Sequence, residues 1–314
     1  MKSVQINRYG GGEVVEINQN IPEPTVSGGK VLVSVKAASV NPADWKIREG
    51  SLQQMIHLEF PSTMGMDFSG VIKQVGEGIS NSEVNQGDEV YGQAGVVNGG
   101  SGTFAEMALA KTESIANKPK RLSHAEAAAL PLVGVSAWRA LMENIGLSKG
   151  QRILIHGGAG GIGSIAIQLA KHLGAYVAAT VSTNDKQFVQ ELGADQVIDY
   201  KTQNFEDLLH NYDSVFDTVG GETYKRSFTV LKKGGIIVSM LEQPNTQLMD
   251  HHGVKAIFQF TQADRERLTK VAKWVDENKD IRVNIDKTFS LDDAGEALDY
   301  QKDVHPRGKV ILTV

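Results

Sequence analysis

Along the first third of the chain, short apolar runs alternate with glycine-marked turns. Residues 31–37, Val-Leu-Val-Ser-Val-Lys-Ala, follow Ser27-Gly28-Gly29 and predict a strand. Residues 70–76 predict a second strand between two glycines, and residues 87–92 a turn with a short strand. A loop marked by Gly99, Gly100 and Gly102 precedes a further run at 103–110. Many short strands with this punctuation predict a small barrel or sandwich.

The pattern changes near residue 121. Ser123 and Glu126 have the spacing of a capping box, and the Ala- and Leu-rich stretch after them predicts a helix to about Asn144. Strands and helices then alternate. Strands are expected at 152–156, 176–181, 196–199, 214–218, 236–240 and 254–260. Helices are expected at 164–173, 185–192 and 264–278, the last with Leu268, Val271, Ala272 and Val275 on one face. Such alternation predicts a parallel sheet covered on both faces. In the tail, 281–289 alternates, 291–301 is helical and 309–314 is a terminal strand expected to return to the first domain. The expected organisation is 1–120 and 121–270, with 271–314 rejoining the first domain.

Bulk properties narrow the function classes. The chain has 314 residues, of which 41% are hydrophobic, enough for two packed cores rather than a disordered chain. The formal charge is −5 with neither sign in a long block, which argues against a nucleic-acid or membrane-surface partner. There is no cysteine, so disulfides, thiolate nucleophiles and Cys-ligated metals are excluded. The first nine residues alternate like a strand, and no apolar run approaches a membrane span. The expectation is a soluble cytoplasmic protein.

The candidate chemistry begins at residue 153. Ile153-Leu154-Ile155-His156 runs into Gly157-Gly158-Ala159-Gly160-Gly161-Ile162-Gly163, and an amphipathic run starts at Ser164. Strand, glycine loop and helix in succession are the context that makes such a loop a dinucleotide site. The glycines Gly158, Gly160 and Gly163 permit a tight turn, close approach of a pyrophosphate and close helix–strand packing. Gly161 and Ile162 belong to the same loop, which leads into a helix whose N-terminus favours an anion. An NAD site carries an acid at the tip of the next strand. Here residues 180–186 read Thr-Val-Ser-Thr-Asn-Asp-Lys. Asp185 reads as the N-cap of the following helix. Ser182 and Lys186 suit a 2′-phosphate, so NADPH is the expected cofactor; the plain alternative for Lys186 is a solvated helix residue.

Several segments together resemble the zinc-independent medium-chain dehydrogenases/reductases of the quinone oxidoreductase (zeta-crystallin-like) group. They are Ala38-Ser39-Val40-Asn41-Pro42-Ala43-Asp44-Trp45-Lys46-Ile47-Arg48-Glu49-Gly50, Gly65-Met66-Asp67-Phe68-Ser69-Gly70 and Gly87-Asp88-Glu89-Val90-Tyr91-Gly92. Leu130-Pro131-Leu132-Val133-Gly134-Val135-Ser136-Ala137-Trp138, Gly193-Ala194-Asp195, Phe216-Asp217-Thr218-Val219-Gly220-Gly221 and Arg307-Gly308-Lys309-Val310 continue the likeness. The resemblance implies an α/β protein: a GroES-like β-rich domain plus a Rossmann doubly wound parallel sheet, with the active cleft between them. In zinc-dependent relatives, metal ligands stand where Asn41 and Met66 stand here. The resemblance also implies that Asn41 lines the cleft near the nicotinamide, that Ser136 contacts the same end, and that Tyr200 lies near the adenosine phosphate. Val219 and Gly220 would lie on the ribose side, and Ser239 and Phe258 would frame the nicotinamide.

The implied reaction is hydride transfer to an electron-poor carbon of a quinone, enone or enal. Lys46 and Leu52 stand near positions where quinone reductases of the group often carry tyrosines, so the acceptor stays open. Charge developing on the acceptor oxygen needs donors, for which Asn41 is the candidate amide and Lys46 a neighbour. No His–carboxylate or Ser–Lys arrangement names a general acid. The eight histidines are scattered, and no metal is expected. Two other readings are an NADPH-binding sensor without turnover and a metal-dependent alcohol dehydrogenase. The apolar segment 254–260 offers an edge for a homodimer.

Overall fold

The computed structural model describes residues 1–80 and 84–314. They form two compact units, Met1–Leu132 with Gln262–Val314, and Val133–Thr261.

The first unit is built on the strand Lys30–Val40, buried along most of its length by Val31, Val33, Val35 and Val40. β-Branched residues favour this pleated, buried setting. Strands Asp67–Val75, Met107–Lys111 and Lys309–Thr313 all pair with it antiparallel. The sheet continues through Glu89–Gln93 to Ile115–Asn117 on one side and to Ile285–Ser290 on the other. A smaller sheet joins Val15–Asn18, Ser3–Ile6 and Ser62–Thr63. The terminal strand therefore does return to the first unit, with Val310 opposite Val40 and Thr313 opposite Ala37.

The unit boundaries fall at 132/133 and 261/262, not at the expected 120/121 and 270/271. Two helices explain the difference. His124–Ala128 starts at the expected capping box, with Ser123 Oγ accepting from the Glu126 amide and Glu126 Oε2 accepting from the Ser123 amide at 2.9 Å. Its small side chains let it settle on the first sheet, where Ala128 and Ala129 cluster with Ala37 and Ile311. Helix Arg265–Glu277 packs on strand Ile115–Asn117, and Tyr91 donates its hydroxyl to the Leu268 carbonyl at 2.6 Å.

The single helix expected to about Asn144 is broken. Pro131 opens a separate helix, Pro131–Trp138, because its ring cannot continue the preceding one. Residues Arg139–Ile145 are wound more widely, as a π-helix, and stop at Gly146, whose φ is 64°.

The second unit is a six-stranded parallel sheet. Its order is Gln196–Asp199, Tyr176–Val181, Arg152–His156, Tyr212–Asp217, Leu231–Ser239 and Lys255–Phe258. Numbered along the chain this is 3-2-1-4-5-6, the doubly wound order, and strand order reverses between Arg152–His156 and Tyr212–Asp217. The strands are buried on both faces, so Ile153, Leu154, Ile155, Val215 and Phe216 are all inaccessible. The last strand is shorter than the expected 254–260: Lys255–Phe258 forms one open edge of the sheet. No helix among the described residues is long and apolar enough to cross a membrane.

Candidate functional site

In a doubly wound sheet, ligands bind beyond the C-terminal strand ends at the switch point. The strand Arg152–His156 ends in such a place. Gly157 turns the chain with a φ of 70°, in the left-handed region that favours glycine. The Gly158 amide donates to the Thr180 carbonyl at 3.0 Å, and the Gly160 amide to the Gly157 carbonyl at 3.1 Å. Helix Gly161–His172 starts three residues earlier than the expected 164–173, with Gly160 as N-cap. The first-turn amides of Gly161, Ile162 and Gly163 have no carbonyl one turn back within the helix. They form the positive end of the helix dipole.

The three loop glycines do different things. A Cβ on Gly163 would lie 2.2 Å from the Gly157 carbonyl oxygen, so this glycine is required for the loop to close on the helix. A Cβ on Gly158 would press on Ala179, Ile167 and Val181 at 3.0 to 3.2 Å. On Gly160 it would meet only the Gly157 oxygen, at 3.4 Å. That open face is a cradle a pyrophosphate can fill.

Asp217 shapes the neighbouring strand ends. Its Oδ1 accepts from the amides of Val219 and Gly220 at 3.0 Å, and its Oδ2 from the Ser239 hydroxyl at 2.7 Å. Val219 stands beside the loop, 48% exposed, and Gly220 adopts a φ of 77°. Ser239, expected to frame a ligand, has its hydroxyl engaged within the fold. Its hydroxyl donates to Asp217 and accepts from the amides of Leu241 and Glu242, so it braces the two strand ends. Phe258, opposite Ser239 in the ladder, is half-buried. The next residue, Gln259, donates to the Ser136 carbonyl at 3.0 Å. The Ser136 hydroxyl itself is buried without a partner. An orphaned buried hydroxyl is costly.

At the other end of this edge, Ser182, Lys186 and Tyr200 gather around a residue the sequence reading passed over. Asp199 ends the third strand. Its Oδ2 lies 3.1 Å from the Lys186 ammonium and accepts the Thr183 hydroxyl at 2.7 Å, while Oδ1 accepts the Lys201 amide at 3.1 Å. The Thr183 hydrogen bond, with Lys186 beside it, holds the Asp199 carboxyl below the usual carboxylate range. Lys186 is thus neither free nor merely solvated. Ser182 donates to Asp185 at 2.6 Å, so Asp185 stands at the N-cap position but binds the serine hydroxyl. Tyr200 is 60% exposed, a free ring face beside this cluster.

Beneath the loop, His156 is fully buried, with Thr180 and Ser227 each 2.9 Å from one ring nitrogen. Ser227 donates its proton to the Thr223 carbonyl, so Nε2 must donate to Ser227 and Nδ1 accept from Thr180. The ring is neutral, and burial pushes its pKa down to about 4.

The first unit holds the other candidates. Asn41 caps helix Pro42–Arg48, and its backbone amide donates to Asp44 Oδ2 at 2.7 Å. Its side chain was expected to offer an open amide to the acceptor. Instead Nδ2 donates to Asp67 Oδ2 at 3.0 Å, and Oδ1 accepts from Lys309 in a very short contact. Asp67 also accepts from Gln93 at 2.7 Å and from the Leu132 amide at 3.1 Å. Burial pushes the Asp67 carboxyl up and the Lys309 ammonium down, each opposed by the other's charge. Asn41 is therefore a buried hinge of an Asp–Asn–Lys network. Lys46, expected beside it, places its ammonium 5.5 Å from the Trp45 ring centre.

A cleft of about 440 Å³ opens in this unit, lined by His57, Glu59, Ser62, Thr63, Val96 and Ser101 among others. At Ser62, Thr63 and Val96 it adjoins a recess of about 10 Å³ lined by Asp44 and Met66. Among the described residues, no group of three or more His, Asp and Glu side chains is placed to hold a metal ion.

Comparison with known proteins agrees with this arrangement. Residues 27–120 match the alcohol dehydrogenase GroES-like domain, and residues 192–312 match the family described as zinc-binding dehydrogenase. The chain is 36% identical to 2-methylene-furan-3-one reductase of Solanum lycopersicum, over 99% of this chain and 79% of that protein. It is 33% identical to the NADPH-dependent alkenal/one oxidoreductase of Arabidopsis thaliana chloroplasts, with the same coverage of 99% and 79%. The solved quinone oxidoreductase of Coxiella burnetii superposes with a TM-score of 0.89 at 33% identity, covering 100% of this chain and 99% of that one. The chain belongs to the medium-chain dehydrogenase/reductase family, in its quinone oxidoreductase group, and is an oxidoreductase.

Of the residues singled out from sequence, the glycine loop, Val219, Gly220, Ser239 and Phe258 share one edge of the parallel sheet. Ser182, Lys186 and Tyr200 share its outer end. Sequence reasoning missed Asp199, Asp217, Asp44 and the charge of Lys309. Asp217 precedes the Thr218-Val219-Gly220 turn, and that position was its only local signal.

Proposed function

We propose that this chain is an NADPH-dependent reductase that transfers hydride, without zinc, to a quinone or an α,β-unsaturated carbonyl. The observation that carries the reading is the cradle at Gly160. It has an open face over the helix N-terminus, and Lys186 and Tyr200 stand at the outer end of the same strand tips. These residues fit a nicotinamide dinucleotide with a 2′-phosphate. Gly160 and the first-turn amides would hold the pyrophosphate, and Lys186 with Ser182 the 2′-phosphate. The bound dinucleotide supplies hydride.

Two further observations support the reading, one for its metal-free part and one for its acceptor. By the family resemblance Asn41 and Met66 stand at the places of metal ligands, and the Asn41 side chain is committed to Asp67 and Lys309. The relatives' names, an enone reductase, an alkenal/one oxidoreductase and a quinone oxidoreductase, support an electron-poor acceptor. The cleft beside Ser62 and Val96 has the volume for such a small molecule. We place the protein in the cytoplasm as a homodimer, with the open edge Lys255–Phe258 as the pairing surface.

The test is oxidation of NADPH and NADH across quinones, enones, enals and saturated alcohols, with metal analysis of the same sample. Faster NADPH oxidation with quinones or enones in zinc-free protein is expected. Stoichiometric zinc with alcohol oxidation would overturn the reading.

A further inference from the structure

Hydride addition to an enone or quinone leaves negative charge on the acceptor oxygen, which then needs a proton. Asp44 lies inside the first unit with 1% of its surface exposed. Its two carboxyl oxygens have different surroundings. Oδ2 accepts the Asn41 amide at 2.7 Å. Oδ1 is buried and has no hydrogen-bond partner. A bare buried carboxylate oxygen is far costlier than a neutral acid in the same place.

The surroundings of Asp44 point the same way. Asp44 is among the residues lining the recess of about 10 Å³, which has room for about one water. That recess shares Ser62, Thr63 and Val96 with the 440 Å³ cleft, so the two lie side by side. The charged groups set against Asp44 are Asp67, from strand Asp67–Val75, and Lys309, from strand Lys309–Thr313. Asp67 favours the protonated form and Lys309 opposes it, with Lys309 already bonded to Asn41. On its own helix, Arg48 is turned to Glu49 and Asp299. His57 and Glu59 line the cleft beyond. Burial outweighs all of these and pushes Asp44 up to about 7.

Resting on the reductase reading, we propose that Asp44 is the proton donor, a neutral acid whose Oδ1 proton reaches the acceptor oxygen through one water in the recess. The balance is complete. The C4–H bond of NADPH breaks with its electron pair, and a C–H bond forms on the acceptor carbon. The acceptor oxygen gains a proton from the water as the water takes the proton of Asp44. NADP⁺, the reduced acceptor and the Asp44 carboxylate remain, and solvent reprotonates the carboxylate.

The test combines a titration and a variant. In cofactor-free protein, the ¹³C shift of the Asp44 carboxyl, assigned through its backbone, should titrate near 7. With NADPH and an enone, wild-type kcat should fall as pH rises through that midpoint. Asp44→Asn keeps an acceptor for the Asn41 amide. It should lower kcat about 100-fold, abolish the basic limb and leave the KM for NADPH unchanged. An active wild type whose Asp44 titrates below 5, or an Asp44→Asn enzyme of unchanged kcat, overturns this proposal alone. A wild type inactive with every enone and quinone overturns the reductase reading and this one with it. Should Asp44→Asn fail to fold, the wild-type titration and pH profile decide.

Discussion

Asp199 holds the Lys186 ammonium at 3.1 Å, across the tips of two neighbouring strands of the parallel sheet. The lysine that would bind a 2′-phosphate is thus already paired with a carboxylate, and the phosphate has to compete for it. A charge-assisted hydrogen bond of this kind contributes about 1.5–3 kcal/mol, or roughly tenfold to a hundredfold in affinity. Lys186→Ala should raise the KM for NADPH by at least about tenfold and leave that for NADH nearly unchanged. Asp199→Asn should shift the ratio of kcat/KM values further toward NADPH. Steady-state kinetics with both cofactors measures each, and an unchanged preference in Lys186→Ala would remove that residue from the phosphate site.

The glycine loop separates folding from binding. Gly163→Ala forces a methyl to 2.2 Å from the Gly157 oxygen, where backbone must move. A loss of about 1–3 kcal/mol of stability is expected, read by chemical denaturation. Gly160→Ala meets nothing closer than 3.4 Å. It should keep wild-type stability and lose dinucleotide affinity, read by fluorescence titration. Equal stability losses in both variants would contradict the open-cradle geometry.

His156 makes the second unit sensitive to acid. Its ring is buried and neutral, with the pKa pushed from the ordinary 6.5 down to about 4. In the unfolded chain the ring takes a proton as pH falls through 6.5; in the folded chain it does not until about 4. The unfolded state binds more protons across that window, so the stabilisation is complete above 6.5 and is lost as pH drops toward 4. The loss is roughly 3 kcal/mol, from the size of the shift. Denaturant titrations at pH 7 and pH 4.5 should show a smaller difference in His156→Gln than in wild type.

Much of the architecture was legible because it depends on short-range pattern. The run 153–156, the glycines from 157 to 163 and the periodic helix after them are local signals, and each reappears as expected. The capping box at Ser123 and the terminal strand at Lys309 were likewise read correctly. The unit boundaries were not, because a helix's own residues do not say which sheet it packs on. Helix His124–Ala128 follows the loop after strand Ile115–Asn117, yet its alanines are shaped to fit against Ala37 and Ile311, far along the chain.

The candidate site divides in the same way. Sequence alone determined the strand, glycine loop and helix from Ile153 to His172, since a tight turn and a helix start are demands on consecutive residues. The resemblance carried by the segments around Asn41 and Met66 implied that they stand where zinc-dependent members carry metal ligands. Tertiary structure alone decided what those side chains do. Lys309 reaches Asn41 across 268 positions, and Asp199 reaches back 13 positions to claim Lys186. It also decided that Asp44 leaves one oxygen bare. Charge and hydrogen bonding act through space, and the partner that commits an amide or a lysine, or leaves a carboxyl uncommitted, is set by folding rather than by its neighbours in the chain.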